Sequence, residues 1–437
     1  MTNIALIVLD TLRKDAFDRH FDWLPGRRFE HAYATANWTV PSHASLFTGR
    51  YASEVGVHAK NMYFDYDGPV LAERLRDAGY TTRAFSANTN ITAHFDFDRG
   101  FTDFRTPERF DHMADDSLFD WREFSRTTPA TGPTKYLRAV YECIASDAAT
   151  VPSLITGLKL LLSHGDGVEY GGTIEAMAEF GDEEFGDREF LFLNLMEAHE
   201  PYRAPPEYMS VAEPPLSESV GDVTIGDVNA ERTRRAYDDC ARYLSDVYRD
   251  LFERLAEDFD YVITLSDHGE MLGEFGAWGH EHGVYPELTH VPLSVYGEGL
   301  DGVTTDTVGL IDVHRTVLDL AGIEGGGGRG RNLIDDAEPR ERLTEYLGLT
   351  AWSERKLETN GYEREAERYD GELRGYAADD GYYAFETVDG FERTDETVDD
   401  GRERLARLVD ELRIRRVERN NDVPDEIKDR LEDLGYA

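Results

Sequence analysis

Cysteine is almost missing. Cys143 and Cys240 are the only two in 437 residues, which excludes a disulfide framework or a cysteine-rich metal site and leaves room for one bridge at most. Lysine is scarce too, 6 of the 46 basic residues, and 88 Asp plus Glu bring the net charge to −42. A chain so poor in cations is no free-standing nucleic-acid binder, whose phosphate contacts need a basic face. Long apolar runs are lacking as well. The piece Leu154 to Leu162 contains Lys159 and is far shorter than the ~20 residues of a spanning helix, so no membrane span is expected. The opening Ile4-Ala5-Leu6-Ile7-Val8-Leu9 runs into Asp10 without a basic leader or small-residue cleavage site, and reads as a core strand rather than an export signal.

What is abundant is carboxylate, spread over the whole length with arginine as its usual partner. Such a surface repels itself at low salt and is screened in concentrated salt. The reading is a cytoplasmic protein of a high-salt organism; the alternative is an acidic protein from an ordinary cell with a neutral partner. With 40% apolar residues the chain has ample core material and is no disordered acidic tail. Oligomeric state stays open.

Periodicity predicts an α/β protein: a large mixed, mostly parallel sheet sandwiched by helices. Continuous apolar strands are expected at 4–9, 81–86, 190–195, 261–266 and 291–296. Helices are expected at about 71–78, 229–258 and 312–320, the first and last of these stopped by Gly79 and Gly322. Pro41 near a first helical turn and Gly49 after it frame a short helix with Thr39 at its mouth. Beyond the glycine run Gly325 to Gly330, short polar-aromatic alternations predict a small antiparallel sheet, followed by a helix at 399–416 and a turn or helix at 427–434. The division is a catalytic domain over 1–340 with a smaller C-terminal subdomain over 341–437 packed on it.

Three strand ends deliver Asp10, His199 and the Asp267-His268 pair, and a helix start delivers Thr39. In an open parallel sheet the ligand crevice lies outside the carboxyl ends of the strands, where residues remote in sequence converge. Asp10, Asp267 and His268 suit a divalent ion such as Mn²⁺ or Zn²⁺ better than Ca²⁺, which prefers oxygen alone. A Thr39 hydroxyl joined to that ion would lose its proton far more readily than free threonine. His199 and His280 are the expected proton donors, with His282 and His43 as further catalytic candidates. Asn88 and Arg50 are candidate substrate contacts. A second ion could draw on Glu197, His199, His282 and His290. Each residue also has a plain structural account: Thr39 as a helix cap, Arg50 as a dipole partner, Asn88 as a turn residue, the histidines as packed, hydrogen-bonded side chains.

These pieces resemble the sulfatase branch of the alkaline phosphatase superfamily. The resemblance rests on Ile7-Val8-Leu9-Asp10-Thr11-Leu12-Arg13, Thr39-Val40-Pro41-Ser42-His43 through Thr48-Gly49-Arg50, Glu197-Ala198-His199-Glu200-Pro201-Tyr202 and Ser266-Asp267-His268-Gly269-Glu270. Gly279-His280, His290-Val291-Pro292-Leu293 and Leu431-Glu432-Asp433-Leu434-Gly435-Tyr436 complete it. It implies metal ligation by Asp10 and the Asp267 pair, and a nucleophile at 39. Two departures stand out. The family's Cys or Ser is Thr39, which is no substrate for oxidation to formylglycine, and the family's Arg is His43. Threonine nucleophiles belong, by the same resemblance, to relatives that cleave or transfer phosphoesters. The expectation is a metal-dependent hydrolase of a small or glycan-linked phosphoester, most readily a phosphodiester. The alternatives are a sulfuric ester hydrolase, a transferase of a phospho group to a glycan or alcohol, and a catalytically lapsed member with a binding role.

Overall fold

Six apolar residues in a row, Ile4–Leu9, form strand β1, and all six are buried, as a parallel strand covered on both faces requires. The other strands of the large sheet are, in chain order, β2 (Arg27–Tyr33), β3 (Thr81–Ser86), β4 (Asp103–Arg105), β5 (Glu189–Leu195) and β6 (Tyr261–Leu265). Past a two-strand ladder of β7 (Met271–Leu272) and β8 (Trp278–Gly279) come β9 (Leu293–Tyr296) and β10 (Val303–Gly309). In this computed structural model the described residues are 2–107, 119, 124, 128, 133–146, 148–154, 171–181, 183–215, 228–334, 340–395 and 400–417. The expected turn or helix at 427–434 and most of the 154–162 apolar piece lie outside them.

The large sheet has the order β10-β2-β9-β6-β1-β5-β3-β4. β1 pairs in parallel with β5 and β6, and β3 in parallel with β5. Only β9 among the registered pairs runs against its neighbours β2 and β6, so the sheet is mixed and mostly parallel. Core side chains Ile4, Leu6, Val8, Phe190, Phe192, Ile263 and Leu265 pack on one cluster with Val40 and Phe47. A second, antiparallel sheet of four strands joins β11 (Arg342–Leu347), β12 (Glu372–Ala377), β13 (Tyr383–Thr387) and β14 (Gly390–Arg393). Residues 1–104 and 171–437 form one compact unit, and 105–170 form another whose described part carries the helix Pro133–Ala145.

Several boundaries move for identifiable reasons. The expected helix at 312 begins at Leu310, because Asp312 is its third residue and accepts from the Gly309 N–H at 2.8 Å, the reach of a capping side chain. The strand expected from 291 begins at Leu293, after Pro292. Helix Ala230–Asp258 is capped by Asn229, which accepts from the Arg232 N–H. The helix expected at 399–416 covers Gly401–Asp410. Unforeseen strands β2 and β10 pair in parallel with each other; their charged and polar residues hide the apolar alternation. Cys143 and Cys240 are both buried free thiols.

Arginine makes most of the ion pairs, including the buried Arg342–Asp312 pair and Arg329–Glu54. With 88 acidic against 46 basic residues, pairing leaves a large carboxylate surplus. Raising KCl from ~0.1 to ~2 M, which shortens the Debye length from ~10 Å to a few ångströms, is expected to raise the thermal midpoint by several degrees. A melting temperature flat across that range would contradict salt-dependent stability.

Candidate active site

Four adjacent parallel strands, β6, β1, β5 and β3, end at one edge. After them follow Asp267-His268, Asp10, the turn carrying His199, and Asn88. Thr39 opens the helix Thr39–Thr48, whose ten residues are all buried and which ends at Gly49 in the left-handed region (φ 65°). That glycine also lets His314 approach, since a Cβ there would lie 2.7 Å from the ring. The helix therefore points its amide-rich, partially positive N-terminus at the strand ends.

The side chains converge. Thr39 Oγ1 lies 3.2 Å from His268 Nε2, and Asn88 Nδ2 donates to Asp10 Oδ2 at 2.9 Å and to Thr39 Oγ1 at 3.4 Å. His268 Nε2 is 3.7 Å from Asp10 Oδ1 and 3.6 Å from Asp267 Oδ2. Its Nδ1–H donates to the Gly269 carbonyl at 2.9 Å, so the Nε2 lone pair faces the cluster. Gly269 is dictated by space, because a Cβ would sit 2.0 Å from the Glu287 carbonyl oxygen. Thr11 closes the other side with a left-handed backbone (φ 62°), a strained state for a β-branched residue. Its hydroxyl donates to Asp10 Oδ1 at 2.8 Å, and its backbone N–H to Asp267 Oδ1 at 3.4 Å.

Electrostatics sharpen the picture. Burial works to raise the pKa of Asp10, but His199, His268, His43 and the Asn88 amide outweigh it and hold it below the usual carboxylate value. Asp267 is pushed well above that value, first by burial and then by Asp10 beside it. Burial and then His280 drive His268 well below its ordinary value, keeping it neutral. Asp267 Oδ2 is buried with no hydrogen-bond partner, an arrangement that is costly unless a cation or proton satisfies it. Asp10, Asp267 and His268 each offer a ligand atom within 4.8 Å of the others. Two carboxylates, a neutral imidazole and an adjacent hydroxyl form a donor set that fits a divalent ion.

A second group adjoins the first. His199, Glu200 and His280 also present ligand atoms within 4.8 Å of one another. The His280 ring packs 4.6 Å from His268 and 5.1 Å from His199, centroid to centroid. His199 Nδ1–H donates to the Glu200 carbonyl at 2.6 Å. Burial, with lesser contributions from neighbours, raises Glu200 and Glu270 to about 8 each. The second-ion set of Glu197, His282 and His290 is not brought together around His199. Glu197 accepts from the Thr173 N–H at 2.6 Å, and His290 Nε2 is hydrogen-bonded to the Glu30 carbonyl at 2.7 Å. His282 packs among Tyr285, Tyr346 and Tyr369.

His43 and Arg50 have other partners. His43 Nδ1–H donates to the Thr39 carbonyl at 2.9 Å, and its Nε2 accepts from Asn194 Nδ2 at 3.0 Å. Both nitrogens are thus engaged in holding the helix start to β5. Arg50 leaves the far end of that helix, donating to the Tyr66 hydroxyl and the Gly327 carbonyl. Asn194, which also reaches Asp10 Oδ2 at 3.3 Å, was not foreseen; an Asn inside an otherwise apolar buried strand is the signal that could have found it.

Comparison with known proteins agrees with this geometry. Residues 6–323 match the Sulfatase family. Choline-sulfatase of Rhizobium meliloti is 25% identical over 362 residues, covering 74% of this chain and 68% of the relative. A low-salt glycan biosynthesis sulfotransferase, Agl7, of Haloferax volcanii is 38% identical over 94 residues, 20% of this chain and 23% of its own. Among solved structures, phosphonate monoester hydrolase of Silicibacter pomeroyi superposes with a TM-score of 0.58 at 19% identity over 94% of each chain.

Burial and the neighbouring Asp10 hold Asp267 above the usual carboxylate value while Asp10 is held below it, so a cation competes with a proton for Asp267. Binding of Mn²⁺ or Zn²⁺ is therefore expected to release protons, and affinity should rise with pH as Asp267 gives up its proton. Calorimetry in two buffers of different ionisation enthalpy measures this; equal apparent heats would contradict it.

Proposed function

The chain belongs to the sulfatase family, and from that membership we propose that it is a metal-dependent hydrolase of an anionic ester, most readily a phosphodiester, with Thr39 as its nucleophile. The carrying observation is the Thr39 hydroxyl 3.2 Å from His268 Nε2, inside the Asp10, Asp267 and His268 donor set. Those three residues with Thr39 would hold the ion, Mn²⁺ or Zn²⁺. Bound there, a divalent ion neutralises developing charge on the ester and eases loss of the hydroxyl proton.

The chain's own residues supply the rest. Thr39 Oγ1 gives its proton to solvent and forms a bond to phosphorus as the bond to the leaving oxygen breaks, and His280 gives its Nε2 proton to that oxygen. Asn88, already donating to Thr39 Oγ1, keeps the nucleophile on its side of the ester. Water then forms the new oxygen–phosphorus bond and gives one proton back to His280, while Thr39 leaves and regains its hydroxyl proton from solvent. His199 faces the same side and is the neighbouring donor. A threonyl ester must be released by a second attack on the central atom, because threonine has no aldehyde hydrate from which to expel an anion; phosphorus accepts such an attack readily. This favours phosphate over sulfate.

The sulfuric ester reading has its own support in the family and in a relative called choline-sulfatase. A small or glycan-linked ester suits either reading, since the acidic surplus disfavours long polyanions. That surplus also supports a high-salt cytoplasm as the setting.

Parallel assays with Mn²⁺ on a bis-aryl phosphodiester, an aryl phosphate and an aryl sulfate are expected to rank the diester first. Thr39→Ala is expected to lower kcat/KM by ~10³-fold or more. A sulfate ester turned over fastest would hand the function to the second reading, and an active alanine variant would remove Thr39 from the mechanism.

A further inference from the structure

The ladder β7–β8 pairs Met271 with Gly279 and Leu272 with Trp278 in antiparallel register. One step further along that register places Glu270 opposite His280. The side chains meet there: His280 Nδ1 lies 3.1 Å from Glu270 Oε1, and Tyr202 donates its hydroxyl to Glu270 Oε2 at 2.9 Å. Glu270 is fully buried, and no step of the reaction above uses it.

The ladder is held against slipping. Gly273 N–H donates to the Ala277 carbonyl at 2.9 Å, and the Glu274 carboxylate accepts from the Leu272 N–H at 2.7 Å. Arg13 Nη1 ties the two ends together, reaching the Glu270 carbonyl and Glu274 Oε1 at 2.9 Å each. Arg234 donates to the Leu272 carbonyl. Within the turn Phe275 is held left-handed (φ 53°) with its ring stacked on Tyr285. A one-residue slip would exchange the faces of the strand and part Glu270 from His280.

We propose that Glu270 is the positioning residue for His280: it accepts the Nδ1–H and aims Nε2 at the leaving oxygen. This rests on the leaving-group role given to His280 above. As the ester bond breaks, the Nε2 proton moves to the leaving oxygen while the Nδ1 proton stays on His280, donated to Glu270 Oε1. Tyr202 holds the carboxylate from behind.

The test compares leaving groups in the Mn²⁺-loaded protein. A 4-nitrophenyl group departs without help, whereas an alkoxide needs its proton. Glu270→Ala and His280→Ala are each expected to cost ~10²-fold in kcat/KM on a dialkyl diester and under ~fivefold on the 4-nitrophenyl diester. The double variant should fall within ~threefold of His280→Ala alone, since the two act as a unit. Glu270→Gln, which keeps an acceptor oxygen and the side-chain volume, should recover ~tenfold on the alkyl ester. Should the alanine variant fail to fold, Glu270→Gln and Tyr202→Phe carry the same comparison with smaller, equally biased losses. Equal losses on both leaving groups, or a double variant that multiplies the single losses, would overturn the proposal. Repeating the series on alkyl and aryl sulfates separates the two readings: faster sulfate turnover removes the phosphoester preference, while the leaving-group bias still decides for or against Glu270.

Discussion

Two carboxylates buried side by side are the constraint around which the strand ends are built. Asp10 and Asp267 are both fully buried, and among the described residues neither pairs with a lysine or arginine. Like charges in so dry a setting repel strongly. The surroundings are correspondingly fixed: His268 and His199 each have Nδ1 tied to a backbone carbonyl, and His43 is engaged at both nitrogens. The bent backbone at Thr11 brings a hydroxyl to one carboxylate and an N–H to the other. The pair can be balanced by a shared proton or by a cation. The family's permanent cation, replaced here by His43, is not present to do it.

Much of this was legible in the residue order, and the limits are physical. Strands β1, β5 and β6 are covered on both faces, so they stand out as unbroken apolar runs that stop at polar clusters. Asp10, Thr39, Asn88, Asp267 and His268 meet because parallel neighbours end at the same edge. Proximity along the chain misled elsewhere: His282 lies two positions from His280, yet its ring turns into a tyrosine cluster. Arg50 follows the helix that begins at Thr39, but ten helical residues carry it ~15 Å away. Glu270 stood inside a quoted motif without an evident task, because its partner is set by a two-residue ladder too short to leave a periodic trace.

The fold is shared with a protein named phosphonate monoester hydrolase, and the sequence is similar to one named choline-sulfatase. A common scaffold does not choose among such esters. With Thr39 as the proposed nucleophile, that choice falls above all to the side chain at 39. A hydroxyl on a branched carbon can form and release an ester, but offers no carbonyl chemistry. A change of nucleophile of this kind would change which central atoms the same crevice can process.

The position of β1 between β5 and β6 has a consequence for biosynthesis. Asp10 and the Asp267-His268 pair are separated by more than half of the 437 residues, so the earlier carboxylate is made long before its partners. The carboxylate of Asp10 therefore remains a lone acid until the strand that carries Asp267 docks beside β1. An ion held by both carboxylates would thus report completed assembly of the sheet's centre rather than its beginning.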